Sequence, residues 1–425
     1  MLLAGLAGLA GASIADDDGG DTLAAAITGG DFALTARYRY ESVDDAALSA
    51  GGTPLRDAEA STIRITLGYE TAAWHGLALG AEVEHVSELG PDDFNNGSNG
   101  KTTFATVADP DGTEFNEAYI KYSGLDNTVV KLGRQIITYR KAPLHRFAGT
   151  VLWRQNWQTH DALTVTSTPD ENLAIRYAYI WNVNRIFGDD APAPLSNFDS
   201  NSHLVNITFD GLPRLKLEGY AYLLDLGNAD GFSSQTYGLR GTGSLPLGAG
   251  PELLYAAEYA HQADYADNPA DIDANYYLLQ GGLKFTRLPV LSTLTFKLTH
   301  EVLGGDGGAD RFVTIFGTNH AFQGTADRFL VTPGDGIKDS YLDVVGTVDK
   351  LKFVVSWHML ESDRDSYDYG DELDLQVQYT FRKRYTLALK YADYEADRNA
   401  LNIARNPAQS ADKSIFWAFA SVRFP

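Results

Sequence analysis

From residue 31 to its end the chain alternates apolar and polar side chains in about eighteen segments, and the gaps between them run long, short, long, short. In Phe32-Ala33-Leu34-Thr35-Ala36-Arg37-Tyr38-Arg39-Tyr40-Glu41, one set of alternate positions reads Phe, Leu, Ala, Tyr, Tyr and the other Ala, Thr, Arg, Arg, Glu. Successive side chains of a strand point to opposite sides, so such a strand is apolar on one face and charged on the other. Ile63, Ile65 and Leu67 oppose Thr62, Arg64 and Thr66 in the same way, and Leu294, Phe296 and Leu298 oppose Thr295, Lys297 and Thr299.

The gaps decide what these strands build. The long ones are 44–57, 89–112, 137–157, 186–201, 226–233, 264–273, 304–337, 362–370 and 397–412. The short ones include Gly124–Asp126, Gly211–Pro213 and Val348–Asp349, and the two kinds never swap places. Short turns on one side and long loops on the other are the rhythm of a bacterial outer-membrane barrel. The expected fold is all-β: a transmembrane antiparallel β-barrel of about 18 strands over residues 31–425. An arginine facing lipid at mid-depth would cost ~2–4 kcal/mol, so the charged faces belong inside. A barrel of this size leaves an aqueous channel rather than a packed interior.

Composition agrees. Hydrophobic content is 44% with no run of eighteen apolar residues, so no helix is expected to span a bilayer. Tyr (23) and Phe (20) are numerous enough for aromatic girdles. There is no cysteine, hence no disulfide framework or thiolate metal site. A net charge of −22 argues against a nucleic-acid surface. Residues 1–15 read as an export leader, with apolar Leu2–Ala10, a Ser13-Ile14-Ala15 cleavage site and no basic opening, as in a truncated start. Residues 16–30 read as a periplasmic segment, and the strand at the chain's end should stop at Phe424, because Pro425 cannot donate to a ladder.

The strongest chemical signal is local. Between Asn127 and His160 there is no Asp or Glu, while Lys131, Arg134, Arg140, Lys141, Arg146 and Arg154 all fall there. Folded into the lumen, this stretch would form a basic constriction whose arginine forks match carboxylates. The same bases could instead pair with lumen acids such as Glu82, Glu84, Glu117 or Glu258. Alternation counted from Leu132 points Arg134 at lipid, so either Gly133 marks a bulge or the register is displaced by one. Trp153 and Trp157 suit either sugar stacking or interfacial anchoring. The run Gly304–Asp310 is acidic enough to invite Ca²⁺ near Asp306, but its spacing fits no EF-hand, and a plain turn is the better reading. No zinc spacing, nucleophile elbow or phosphate loop is visible, so no catalytic residues, metal or cofactor are expected.

Several stretches resemble the alginate-export outer-membrane porins: Gly133-Arg134-Gln135, Arg146-Phe147-Ala148-Gly149, Trp153-Arg154-Gln155-Asn156, Asp161-Ala162, Glu301–Gly307, and His320–Gly324 with Ala326–Leu330. The resemblance implies an electropositive pore that passes an anionic polysaccharide outward, with Arg134, Arg146 and Arg154 as pore arginines. The full set of expected pore-lining residues is Arg37, Arg39, Arg64, Arg134, Arg146, Arg154, Asp161, Arg176 and Lys297. The expected setting is a monomer in the outer membrane, beside its lipid and periplasmic export machinery. The alternative is a general or small-carboxylate-selective porin. A barrel enzyme, a non-conducting barrel and a secreted glycan-binding protein are the remaining classes.

Overall fold

The computed structural model describes residues 22–141, 145–248 and 250–424. The expected leader, the first residues of the periplasmic segment and Pro425 lie outside them. Eighteen strands follow one another. They are β1 (Asp31–Asp45), β2 (Ala58–Glu70), β3 (Leu77–Asp93), β4 (Gly112–Leu125), β5 (Thr128–Gln135) and β6 (Thr159–Asp170). Next come β7 (Leu173–Asn184), β8 (Asn197–Leu212), β9 (Leu215–Leu224), β10 (Ser234–Pro246), β11 (Glu252–Asp264) and β12 (Asp273–Thr286). The last six are β13 (Thr293–Leu303), β14 (Ile337–Val348), β15 (Leu351–Glu361), β16 (Asp368–Phe381), β17 (Tyr385–Ala396) and β18 (Lys413–Phe424).

Each strand pairs antiparallel with its sequence neighbours, and β1 pairs with both β2 and β18, which closes the sheet. Closure removes every edge, so all ladder donors and acceptors are met inside the barrel wall, as a bilayer demands. The short turns are tight enough to need left-handed backbone, and Asn127 (φ 51°) and Asp349 (φ 49°) supply it. A short helix, α1 (Leu23–Thr28), is tied to the periplasmic end of β2: Ala72 N–H donates to the Ala26 carbonyl (3.0 Å), and the Tyr69 hydroxyl donates to Ile27.

The two faces separate as alternation requires. Leu67, Leu79, Leu132, Leu239, Leu279, Leu298 and Leu389 are exposed on the outside, where lipid covers them. Thr62, Arg64 and Thr66 are buried on the inside. The interior is not empty. Outer loop 3 (136–158) and outer loop 7 (304–336) fold into the lumen and build a small core there. Phe147 packs against Tyr220, Tyr276 and Phe312 at centroid distances of 5.5, 4.8 and 5.5 Å.

The conflict at Gly133 resolves with neither a bulge nor a displaced register: the alternation counted from Leu132 holds. Pairing runs unbroken through it on both sides, Tyr119↔Gly133 and Ala118↔Arg134 with β4, and Gly133↔Ala162 and Arg134↔Asp161 with β6. Gly133 holds φ at +123°, and a side chain there would strike the Ala118 carbonyl. The nearby bulges lie elsewhere, on β4 between Phe115 and Glu117 and on β7 between Ile180 and Asn182. Arg134 and Asp161 therefore share the outer face with Leu132 and Leu163, while Gln135, His160 and Ala162 face inward.

Candidate functional site

The site is the narrowing that loops 3 and 7 make inside the barrel. The loops are joined first through backbone: Gly149 N–H donates to Phe316 O (3.0 Å), and Thr318 N–H donates to His145 O (3.2 Å). Side chains then lock them. Trp153 of loop 3 lies flat on His320 of loop 7, with centroids 3.7 Å apart and planes 9° apart. His320 Nδ1 meets Asp327 Oδ1 at 2.7 Å, and Lys390 Nζ of β17 meets His320 Nε2 at 2.7 Å. An ammonium can only donate, so Nε2 accepts and Nδ1–H donates to Asp327. The imidazole is neutral in this arrangement.

The arginines of the acid-free stretch fasten loop 3 to the wall. Arg140 reaches Glu218 of β9 (2.9 Å) and Glu258 of β11 (2.6 Å). Arg146 donates to Glu301 of β13 (2.9 Å) and to Gln323 of loop 7 (2.7 Å). Arg154 bridges Glu41 of β1 (3.0 Å) and Asp327 (3.1 Å). Glu41, Glu258 and Glu301 have no exposed side-chain surface, so these are buried ion pairs. Such pairs fix geometry; losing one partner strands a charge at a cost of ~3–5 kcal/mol. The loop thus lacks acids because the wall supplies them.

The wall arginines act in the opposite direction, on the loop's backbone. Arg37 donates to Gln155 Oε1 (2.8 Å), to the Leu152 carbonyl (3.2 Å) and to the Arg154 carbonyl. Arg39 donates to the Trp153 carbonyl and to Asp109 of outer loop 2 (94–111) at 2.9 Å, with its guanidinium 4.4 Å from the Trp153 ring centre. Arg64 pairs with Glu84 at 2.6 Å and lies 3.8 Å from the ring centre of Trp157. Both tryptophans are therefore inside the barrel, and neither anchors it in lipid.

These placements sort the expected pore residues. Arg39, Arg64, Arg146 and Arg154 are inside but buried, at 1, 3, 1 and 7% exposure, so they hold the loops and cannot line open water. Arg134 and Asp161 are corrected outright. They pair with each other at 2.8 Å on the outer face, at the outer-loop ends of β5 and β6 beside Asn182 and Asn184. A charge near the interface costs ~0–1 kcal/mol, which explains why it is tolerated. Three residues remain half-open to the lumen. Arg37 is satisfied by neutral oxygens only. Arg176 donates to Asn206 Oδ1 and Thr208 Oγ1, both at 3.2 Å. Lys297 pairs with Asp343 at 2.9 Å and keeps 28% of its side chain exposed.

Sequence reasoning passed over Glu41, Asp109, Asp327, His320 and Lys390 as site residues. The His320–Gly324 and Ala326–Leu330 stretches had drawn attention as motifs, but nothing in the letters said that they meet Trp153. Among the described residues, no three His, Asp or Glu side chains are arranged to hold a metal ion. Asp306 faces Arg364 at 3.6 Å.

No family model matches the sequence, and no curated protein matches it. Solved structures do match. OccAB2 of Acinetobacter baumannii is 15% identical with a TM-score of 0.70, over 96% of this chain and 100% of that one. OccAB1 of the same organism is 15% identical with a TM-score of 0.68, over 94% and 97%. Pseudomonas aeruginosa OpdK, solved with vanillate, is 13% identical with a TM-score of 0.67, over 94% and 99%. The chain therefore shares the closed 18-strand antiparallel barrel fold of these proteins.

Proposed function

We propose that the chain is a channel, not an enzyme, through which small anionic solutes, carboxylates foremost, cross the outer membrane. The observation that carries this is Arg37. It stands at the edge of the narrowing, and each of its three nitrogens donates to a neutral oxygen rather than to a carboxylate. A guanidinium without a carboxylate keeps its attraction for a passing one, whereas Arg146 and Arg154 are already engaged. Arg176, which likewise donates to neutral oxygens, adds a second such cation on the barrel wall. Conduction needs sites that bind and release, and guanidiniums already sharing donors with neutral oxygens are suited to that. The vanillate in the OpdK structure is a small aromatic carboxylate and supports the same class of solute.

Polysaccharide export is the weaker reading. It relied on free arginines at Arg146 and Arg154, and on a wide pore. Two loops occupy that lumen, and the two arginines are bound to the wall. Liposome swelling with reconstituted protein tests the proposal. An aromatic carboxylate should enter faster than a neutral sugar of similar size. Equal rates, or faster entry of the sugar, would refute it.

A further inference from the structure

The short helix that precedes the barrel has an exposed apolar side that transport does not use. α1 has six residues, none of them charged, and only Ala26 is buried. Leu23 and Ile27 lie one turn apart on the same side, and they are 53% and 51% exposed. Ala24 and Thr28 project away from Ala26 on the far side. A helix this short does not persist in water by itself, so docking must hold it.

The docking point belongs to the outer face of the barrel. Tyr69 follows Ile65 and Leu67 in the exposed row of β2 and pairs across the ladder with Phe32, their rings 4.4 Å apart. Its hydroxyl donates to the Ile27 carbonyl and accepts from the Gly30 N–H (3.1 Å). Gly30 permits that crossing, because a Cβ there would strike the hydroxyl. Depth follows from the neighbouring strands. Outward-facing aromatics recur at their periplasmic ends, with Tyr69 on β2, Phe285 on β12, Phe381 on β16 and Tyr385 on β17. That is the level of the inner aromatic girdle. α1 therefore rests on a girdle residue, on the lipid side of the wall rather than beneath the lumen.

We propose that α1 is an interfacial anchor lying in the inner leaflet, with Leu23 and Ile27 among the acyl chains of phospholipid. Continuity identifies the occupant. Phe32, 62% exposed, heads the apolar outer row of β1, and Tyr69 touches both that row and the helix. Uncharged helices with one apolar side settle at this depth. The anchor fastens the start of β1, the strand that closes the barrel against β18. The proposal rests on the outer face of the barrel lying in lipid.

The chain has no cysteine, so single nitroxide labels can be placed on the whole protein. Leu23→Cys, Ile27→Cys and Thr28→Cys are compared with Leu67→Cys on the outer face and Ser49→Cys in the outer loop after β1. Each labelled protein is reconstituted into vesicles of phosphatidylethanolamine and phosphatidylglycerol, and its collisions with oxygen and with a water-soluble nickel chelate are measured. Oxygen should dominate at 23 and 27 as it does at 67, with a collision ratio several-fold above that at 28 and 49. Leu23 and Ile27 give independent readings should one variant lack the heat-shifted migration of a folded barrel. Nickel access at 23 and 27 beside oxygen access at 67 would overturn the proposal and leave the membrane barrel standing. Nickel access at 67 would overturn both. Shielding of 23 and 27 from both reagents would also overturn it, since protein rather than lipid would then cover α1.

Discussion

Trp153 stacks on His320 at 3.7 Å, and that contact joins two loops whose sequences lie more than 150 residues apart. Around it Arg39 covers Trp153, Trp417 packs edge-on against both rings, and Lys390 and Asp327 hold the imidazole. Trp153→Ala should remove a large, partly buried ring, a change worth less than the ~3–5 kcal/mol of a fully buried aromatic. Because the strands do not depend on it, the barrel should persist while the plug loosens. Single-channel traces should show larger and noisier currents, with heat-shifted migration retained.

Arg154 should matter for folding of the plug rather than for selectivity. It is buried between Glu41 and Asp327, so Arg154→Ala takes a buried ion-pair partner from both carboxylates, leaving Asp327 only its bond from His320, and should cost ~3–5 kcal/mol. Urea unfolding should register that loss, and Arg154→Met combined with Glu41→Leu should recover part of it. A variant that changes only ion preference, with stability intact, would show that Arg154 is open to solute after all.

Acid should unlock the loops. Burial pushes His320 down to about 3, with Lys390 acting in the same direction and Asp327 against it. The unfolded chain takes up a proton near pH 6.5 that the folded site refuses. The locked state is therefore fully favoured above about pH 6.5 and loses about 2–3 kcal/mol by pH 4.5. Amide exchange in 316–330 should accelerate between pH 7 and pH 4.5 in wild type, relative to the intrinsic exchange rate. His320→Gln should flatten that dependence.

Arg134 should be silent in transport. Its guanidinium and Asp161 meet on the lipid side, so Arg134→Gln should leave the reversal potential unchanged and cost only modest stability. A shift in ion preference would place Arg134 in the lumen and contradict the register drawn from β4, β5 and β6.

Most of the barrel was legible in the letters because alternation is a local signal and connection length alternates with it. Every strand was located, and the outward direction of Arg134 was already implied by counting from Leu132. What a linear reading could not supply was the partner of each charge. Of the acids named as possible partners for the acid-free stretch, Glu258 does pair with Arg140 and Glu117 with Lys131, whereas Glu41 and Glu301 lie far away in sequence and meet it only once the barrel closes. His320 stood in a noted stretch, but its contact with Trp153 and Lys390 exists only in the folded barrel. Asp109 lies in an outer loop rich in acids, yet it is buried, accepting from Arg39 and from the Gln155 N–H.

The most direct measurement is the reversal potential across a planar bilayer under a KCl gradient, for wild type and for Arg37→Gln with Arg176→Gln. Wild type should prefer anions, and the double variant should lose most of that preference while keeping the heat-shifted migration of a folded barrel. A cation-preferring wild type, or a double variant with unchanged selectivity, would contradict the account.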